Sequence, residues 1–407
     1  MTQLKFVEGG VCAAKGFKAN GIHCGIRRNK SKKDLALIYS EIPCSAAAVY
    51  TTNLVKGASI AVNKEHLANG KAQAIIINSG NANTCNANGK ETAVKIGEST
   101  AEALNISEED VLVCSTGVIG QRLDPTPIIT NLDSLIDGLS EGGSSAAVEG
   151  ISTTDTVYKS VAVECSIGGK ICHIGGIAKG SGMIHPNLAT MLVFITTDIS
   201  ISSEMLQLAL SSDVQSTFNM LSVDGDTSTN DMVCILANGM AENEKITLAN
   251  DDFAAFMYAL NTVNTKLCRM IVSDGEGATK MLECVVEKAQ NLQTARIAAK
   301  SVVCSSLLKA AMFGADANWG RVLCALGYSG ADIDIEKIDV SFESSQGSVL
   351  VCQNGYGVDF DETVAKKILL EDEIIIRVSL NDGNISATAW GCDLTYDYVK
   401  INGDYRT

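Results

Sequence analysis

The sequence has few histidines, which often bind metals, and few prolines, which break helices. Its 407 residues include 4 prolines, 4 histidines and 2 tryptophans. The histidines are scattered, and none of the 14 cysteines belongs to a CxxC pair, so the ligand spacing of a structural zinc site is missing. We therefore expect no metal site, and we expect the cysteines to be reduced thiols packed as small apolar side chains.

Long apolar runs and clustered positive charge are also missing. No N-terminal stretch resembles a signal peptide, and no later run approaches the length of a membrane span. The formal net charge of -15 would repel phosphate backbones, and no cluster of Lys and Arg interleaved with aromatic residues offsets it. We expect a cytoplasmic protein that binds neither membranes nor nucleic acids.

Several familiar catalytic signatures are absent. There is no GxSxG, and the glycine-rich stretches KGSGMIH and DGEGATK lack the third glycine of a dinucleotide loop and are not P-loops. Ser306 and Lys309 match SxxK, but they lie in a helical apolar pattern and no KTG follows. DGDTSTND begins like a calcium loop, yet Thr229 replaces the turn glycine and the final glutamate is missing, which favours a capped turn.

The segments that are present predict a mixed α/β fold. AQAIIINSGNAN, DVLVCSTGVIG and DMVCILANGM are β-branched runs that end in small polar residues, as buried strands do when they deliver loops to one sheet edge. NLQTARIAAKSVVCSSLLKAAMFG predicts one amphipathic helix with Gly314 as its C-cap, and ETVAKKILLED predicts another. Around them, IDVSFESS, GSVLVCQNG, EIIIRVSL and SATAWGCDL indicate strands.

The segment KGSGMIHPNLATMLVFITTD, residues 179–198, places a hydroxyl where a glycine-rich loop meets an apolar run. The Thr190 hydroxyl could attack the carbonyl of Ala189, and hydrolysis of the resulting ester would leave Thr190 as a new N-terminus. Its free amine, with a reference pKa of about 7.7–8.0, could then take the proton of its own hydroxyl. The alternative is that Thr190 simply begins a strand, and the residues alone favour this alternative.

The same segment resembles the self-cleavage site of the ornithine acetyltransferase family, the bifunctional glutamate N-acetyltransferases of arginine biosynthesis. Further stretches resemble family blocks, in family order and along essentially the whole chain. These stretches are NSGNAN, STGVIG, TTDT, DGDTSTND, DGEGATK, ANWGR, AWGCDLT and INGDYRT.

The resemblance implies cleavage between Ala189 and Thr190, which gives a first chain of 189 residues and a second with the remaining 218 of the 407. It implies a layered α-β-β-α sandwich, with helices outside two sheets, of the type that uses an N-terminal threonine as nucleophile. We assign residues 1–282 to this catalytic domain, 283–395 to a smaller α/β domain, and 396–407 to a tail that contributes to the active site.

The resemblance also implies a reaction and a set of site residues. Acetyl would pass from N2-acetyl-L-ornithine to L-glutamate by a ping-pong mechanism, releasing ornithine and N-acetylglutamate. No cofactor is implied, although acetyl-CoA could serve as a second acetyl donor. The cleaved protein would be a heterotetramer of two first and two second chains. The implied residues are Thr190 as nucleophile, Thr116 and Gly117 as oxyanion hole, and Thr153, Lys179, Thr190, Glu276, Asn402 and Thr407 as substrate contacts.

Two other functions stay open on the sequence. Water could replace glutamate as acceptor, which would make the protein an N-terminal-nucleophile aminopeptidase or amidase. The protein could also bind amino acids without catalysing a reaction, and in that case it would not cleave itself. His185 lies five residues before Thr190, but a nucleophile with its own amine base does not need it, so we expect a loop residue.

Overall fold

The computed structural model describes residues 4–185 and 191–403, with sixteen strands and twelve α-helices in these ranges. The strands are β1 Lys5–Val7, β2 Phe17–Ile22, β3 Leu35–Tyr50, β4 Lys71–Asn81, β5 Val111–Val118, β6 Lys159–Ile167, β7 Lys170–Lys179, β8 Leu192–Thr197, β9 Leu221–Ser222, β10 Met232–Ala237, β11 Met281–Ala289, β12 Asp339–Ser344, β13 Gly347–Gln353, β14 Tyr356–Gly357, β15 Glu373–Ser379 and β16 Ile385–Cys392. The helices are α1 Ala58–His66, α2 Gly89–Leu104, α3 Thr126–Ile129, α4 Leu132–Asp137, α5 Ser144–Ile151, α6 Ser203–Asp213, α7 Asp251–Ser273, α8 Leu292–Cys304, α9 Ser306–Phe313, α10 Trp319–Gly327, α11 Glu362–Leu369 and α12 Tyr396–Asn402.

The larger sheet has nine strands and carries both halves of the predicted sandwich. Eight of them follow the order β1-β6-β7-β8-β10-β3-β4-β5, and β2 pairs with β3. β8 lies at its centre, antiparallel to β7 and parallel to β10, and every residue of β8 and β10 is buried. The apolar run after Thr190 is therefore deep in the sheet, as its sequence predicts.

The two halves of this sheet face each other across a shared core. Apolar side chains of β3, β4 and β5 pack there with those of β7, β8 and β10. Helices α1 and α2 cover the outer face of the first half, and α6 and α7 cover the outer face of the second. This confirms the layered α/β class, with one refinement: β3 pairs with β10, so that the two β-layers are one continuous sheet rather than two.

A second sheet of seven strands follows the order β14-β13-β12-β15-β11-β16-β9. Six of its strands come after residue 280, and the two-residue strand β9 joins it from the earlier part of the chain. Helix α8 packs on β11 and β16, while α7 contacts strands of both sheets. Both α7 and β9 connect the two sheets. The domain boundary predicted at residue 282 stays a prediction.

The prediction of one continuous helix over residues 291–314 was wrong. The chain forms α8 and then α9, because Ser305 has an extended ψ of 108° that ends α8. The Ser305 side chain then accepts a hydrogen bond from the Leu308 amide at 3.3 Å and caps α9. Gly314 is the C-cap of α9, as predicted, and α11 and the four predicted C-terminal strands are also present.

The Ser305 cap predicts a stability difference between two adjacent serines. Ser305→Ala leaves the first turn of α9 without its side-chain acceptor and should lower the free energy of unfolding by about 1 kcal/mol. Ser306→Ala is the matched control, since Ser306 is exposed and is not the cap. Calorimetric melting of both variants checks this, and equal melting temperatures would contradict the capping role.

Candidate active site

A cleft of about 620 Å³ of free space, partly open to solvent, lies at the C-terminal ends of β5 and β7. Its lining comes from seven separate parts of the chain, between residues 82 and 402. All the predicted site residues that the structure describes line it. These residues are Thr116, Gly117, Thr153, Lys179, Glu276 and Asn402.

Three of the predicted residues, Ala189, Thr190 and Thr407, lie outside the described residues. The chain enters the described part again at Met191, whose carbonyl accepts a hydrogen bond from the Met232 amide at 3.0 Å. The next residue, Leu192, is paired with Lys179 of β7. Strand β8 therefore begins beside a residue that lines the cleft.

Thr116 and Gly117 lie at the end of β5, where its pairing with β4 becomes irregular. Gly117 has φ of +129° and is opposite Gly80, and a Cβ at Gly117 would collide with the backbone of Gly80 and Asn81. Both the dihedral angle and this close approach require glycine. The Thr116 side chain is buried, and its Oγ1 accepts a hydrogen bond from the Lys179 Nζ at 3.3 Å.

Lys179 is a partly buried cation at the end of β7. Burial lowers the pKa of its ammonium group, and the nearby carboxylates of Asp155 and Asp231 oppose this shift. The result is a desolvated positive charge that contacts Thr116 from across the cleft. Such a group can bind an anionic substrate group or stabilise negative charge that develops during a reaction.

Beneath the cleft, two buried carboxylates share the Lys159 ammonium group. Lys159 has no exposed surface, and its Nζ donates to Asp155 Oδ1 at 2.7 Å and to Asp274 Oδ2 at 2.5 Å. Asp155 also accepts from the backbone amides of Thr153 at 2.9 Å and Gly180 at 2.8 Å. These hydrogen bonds fix the backbone at Thr153 and at Gly180, the residue that follows Lys179.

Burial alone would raise the pKa of Asp155, but Lys159, Lys179 and the Gly180 amide lower it to about 2. Asp274 extends the network to the other side, because it accepts from the amide and the hydroxyl of Thr156. None of Asp155, Lys159 and Asp274 was identified from sequence. Asp155 belongs to the TTDT block. Its connection to Asp274 through Lys159 joins residues 119 positions apart, and no local sequence pattern indicates such a connection.

Glu276 and Asn402 close the opposite side of the cleft. The Asn402 Nδ2 donates to Glu276 Oε2 at 2.8 Å, and the Glu276 amide donates to the Ser181 carbonyl at 2.9 Å. A Cβ at Gly182 would collide with the Glu276 carboxylate, so a larger residue there would displace this side chain. Helix α12 is held in place by Thr395, whose Oγ1 donates to the Gly277 carbonyl at 2.6 Å.

The loop before β10 also lines the cleft, and sequence reasoning gave it no role. Asn230 Nδ2 donates to the carbonyls of Ala82 at 2.6 Å and Ser115 at 3.0 Å. Its Oδ1 accepts from Thr84 Oγ1 at 2.6 Å. The expectation that β4, β5 and β10 all deliver their C-terminal ends to one site was wrong for β10. It lies in the other half of the folded sheet, and its N-terminal end reaches the cleft.

His185 lies outside this cleft. Its Nδ1 is 3.1 Å from the Ser222 Oγ, and it lines a separate cleft along α8. Burial, together with the charge of Lys300, lowers the pKa of His185 to about 4. Among the described residues no group of three or more His, Cys, Asp or Glu side chains could hold a metal ion. Within the same ranges no helix has the length and apolar character needed to cross a membrane.

The sequence profile of the ArgJ family matches residues 18–407. The chain belongs to the ArgJ family. This ArgJ-family chain is 51% identical over 405 residues to the arginine biosynthesis bifunctional protein ArgJ of Caldanaerobacter subterraneus, with 99% of this chain and 100% of the relative covered. It is 50% identical over 392 residues to the ArgJ 1 protein of Clostridium acetobutylicum, with 96% of each covered.

A solved structure matches as well. The crystal structure of the arginine biosynthesis bifunctional protein ArgJ from Bacillus halodurans is 47% identical, with a TM-score of 0.50. The match covers 98% of that chain but 52% of this one, so the solved chain is about half as long as this protein. These comparisons confirm the resemblance found in the sequence and make this ArgJ-family chain an acyltransferase of arginine biosynthesis.

The buried network predicts a strong dependence of stability on Lys159. Lys159→Met leaves two buried carboxylates without their cation and should lower the free energy of unfolding by about 3–5 kcal/mol. Lys170→Met, on an exposed lysine of β7, should change it by no more than about 0.5 kcal/mol. Urea denaturation at neutral pH measures both, and equal effects would contradict the anchoring role.

The same network has a predictable pH dependence. Since the pKa of Asp155 is lowered in the folded state, its stabilising contribution is complete above the ordinary value of 3.8 and is lost as the pH falls through about 2. The wild type should therefore lose urea resistance over this acidic range more steeply than Asp155→Asn. Parallel pH profiles for the two proteins would contradict a stabilising role of the ionised Asp155.

Proposed function

We propose that the protein transfers acetyl from N2-acetyl-L-ornithine to L-glutamate through an acetyl-Thr190 enzyme. The observation that carries this proposal is the single cleft that collects Thr116, Gly117, Lys179 and Glu276 beside the start of β8. The relatives from Caldanaerobacter subterraneus and Clostridium acetobutylicum are bifunctional proteins of arginine biosynthesis, which supports it. In this role the enzyme recycles acetyl groups within arginine biosynthesis.

The proposal requires self-cleavage between Ala189 and Thr190. The half-length solved chain from Bacillus halodurans supports it, because the sequence relatives of this protein match its full length. The two products should stay together, since β8 of the second chain pairs along its length with β7 of the first. Cleavage in a loop removes few contacts from such a sheet.

The chemistry follows from a nucleophile that carries its own base. The Thr190 amine takes the hydroxyl proton as the oxygen attacks the acetyl carbonyl of N-acetylornithine. The Thr116 hydroxyl and the Gly117 amide donate to the oxyanion. The C–N bond then breaks, ornithine leaves with the proton, and glutamate attacks the acetyl ester to release N-acetylglutamate. Lys179 would compensate charge at this end of the cleft.

Both amino acids carry an α-carboxylate, and we assign it to Lys179 and Thr153. The cationic side chain of ornithine would bind Glu276, which is buried and has Asn402 as a neutral partner. For glutamate, the Asn402 amide can donate to the side-chain carboxylate instead. Thr407 completes the substrate contacts in the proposal. We further propose a cytoplasmic heterotetramer of two first and two second chains, with acetyl-CoA as a second acetyl donor.

An exchange assay with three Thr190 variants tests the nucleophile. The wild type should appear as two chains, the second beginning with Thr190, and should move labelled acetyl from N-acetylornithine to glutamate. Thr190→Ala should remain one chain without transfer, whereas Thr190→Ser should retain cleavage and some transfer. Free acetate as the sole product would indicate a hydrolase, and an uncut, active Thr190→Ala protein would refute the nucleophile.

The oxyanion hole gives a second prediction. Thr116→Val removes one donor and should lower kcat by about 10² to 10³, with a smaller change in KM, because the donor acts on the transition state. Thr154→Val is the matched control, since Thr154 also lines the cleft but has no assigned role. Steady-state kinetics with N-acetylornithine checks both variants. Comparable losses of kcat in the two variants would contradict the role of Thr116 as an oxyanion donor.

A further inference from the structure

The side-chain amide of Asn230 lies buried in the wall of the cleft, on the loop before β10. An amide group has two N–H donors and an oxygen with two lone pairs. Both donors are used, on the carbonyls of Ala82 at 2.6 Å and Ser115 at 3.0 Å. Both lone pairs are used as well, by the hydroxyls of Thr84 and Thr229, each at 2.6 Å. A buried amide with all four hydrogen bonds made is rigid, and it fixes the groups that it binds.

The two carbonyls that Asn230 binds restrain both ends of the oxyanion segment, residues 116–117. Ser115 directly precedes this segment, so its carbonyl belongs to the peptide bond that enters it. The amide of Ala82 donates to the carbonyl of Val118, the residue after the segment, at 3.0 Å. A single side chain therefore holds the oxyanion segment on one side directly and on the other side through Ala82.

The oxyanion segment needs such a restraint because the strand ladder is irregular there. The pairing of β4 with β5 is regular as far as Gly80, and then Asn81 is paired with both Thr116 and Val118. Gly117, with φ of +129°, also has more backbone freedom than any other kind of residue. Hydrogen bonds from outside the β4–β5 pair therefore have to fix this backbone, and Asn230 donates two of them.

Close packing against Gly57, the residue before α1, sets the position of the Asn230 amide. A Cβ at Gly57 would lie 2.4 Å from the Asn230 Nδ2, so that any side chain there would displace the amide. The Gly57 amide also donates to the carbonyl of Thr229 at 2.9 Å. Gly57 has φ of -59°, which any residue can adopt. The contact with Asn230, and not the backbone angle, is therefore the reason for glycine at this position.

We propose that Asn230 is a positioning residue for the oxyanion hole, whose two N–H donors fix the backbone that carries the Thr116 hydroxyl and the Gly117 amide. The inference rests on the proposed acyl transfer. Oxyanion donors are effective at about 2.7–3.1 Å from the oxyanion, and a displacement of about 1 Å can lower a rate by about 10². Asn230 is assigned no substrate contact and acts through the oxyanion segment.

The test replaces the donors of Asn230 and keeps its shape. Asn230→Asp removes both N–H groups but retains an oxygen that accepts from Thr84 and Thr229. With N-acetylornithine and glutamate, kcat per cleaved chain should fall by about 10- to 100-fold, while KM changes by less than about twofold. Asn63→Asp is the matched control, because the buried Asn63 Nδ2 donates to a β5 carbonyl, that of Val113, at 2.9 Å. Val113 lies three residues before the oxyanion segment, so this variant should retain the wild-type kcat.

A double-mutant cycle with Thr116→Val separates positioning from an independent effect. If Asn230 acts through the oxyanion donors, Thr116→Val/Asn230→Asp should lose less kcat than the product of the two single losses. Losses that multiply would overturn the inference. Gly57→Ala displaces the Asn230 amide without changing its chemistry, and it should lower kcat in the same way. This variant decides the test if Asn230→Asp is not cleaved.

The remaining outcomes distinguish the inference from the proposed function. Wild-type kcat in Asn230→Asp, or in Gly57→Ala where the first variant is uncut, together with a loss in Thr116→Val, would overturn the inference and leave the proposed function intact. An equal loss of kcat in Asn63→Asp would also overturn it, because any weakening of β5 would then have the same effect. A wild type that transfers no acetyl from N-acetylornithine would instead refute the proposed function.

Discussion

The candidate site depends on one buried cation. Lys159 is held between Asp155 and Asp274 without solvent, and each carboxylate then fixes a different side of the cleft. Asp155 positions Thr153 and Gly180, and Asp274 positions Thr156. Because an unpaired buried charge is costly, this arrangement tolerates few alternatives. It therefore sets the distance between the end of β7 and the loop that contains Thr153 and Thr156.

The cleft is also a product of the way the large sheet folds on itself. Parallel strands β4 and β5 bring their C-terminal ends to it, and β10, from the other half, brings its N-terminal end. Asn230, just before β10, joins the two halves by hydrogen bonds to the carbonyls of Ala82, which follows β4, and of Ser115 in β5. The site therefore lies where the two halves of the large sheet meet. At this place Gly117 has a positive φ that other residues rarely adopt.

Local patterns were sufficient to predict strands such as β4, β5, β10 and β15 and the helix α11, because apolar runs and small polar turn residues act within a few positions. The break at Ser305 was missed, since the apolar period continues through it and the serine acts as a cap. Family blocks predicted six residues that line one cleft in the structure, but neither the Lys159 network nor Asn230 was predicted. Their partners are distant in sequence, and burial of a charge cannot be read from a charged residue alone.

The central claim is that Thr190 carries the acetyl group. The most direct measurement incubates the enzyme with N-acetylornithine without an acceptor, quenches it in acid, and determines the mass of the second chain and of its N-terminal peptide. The account predicts one added acetyl group on Thr190, removed by hydroxylamine as an ester and lost when glutamate is supplied. An unmodified Thr190, or a hydroxylamine-resistant acetyl group elsewhere in the chain, would contradict it.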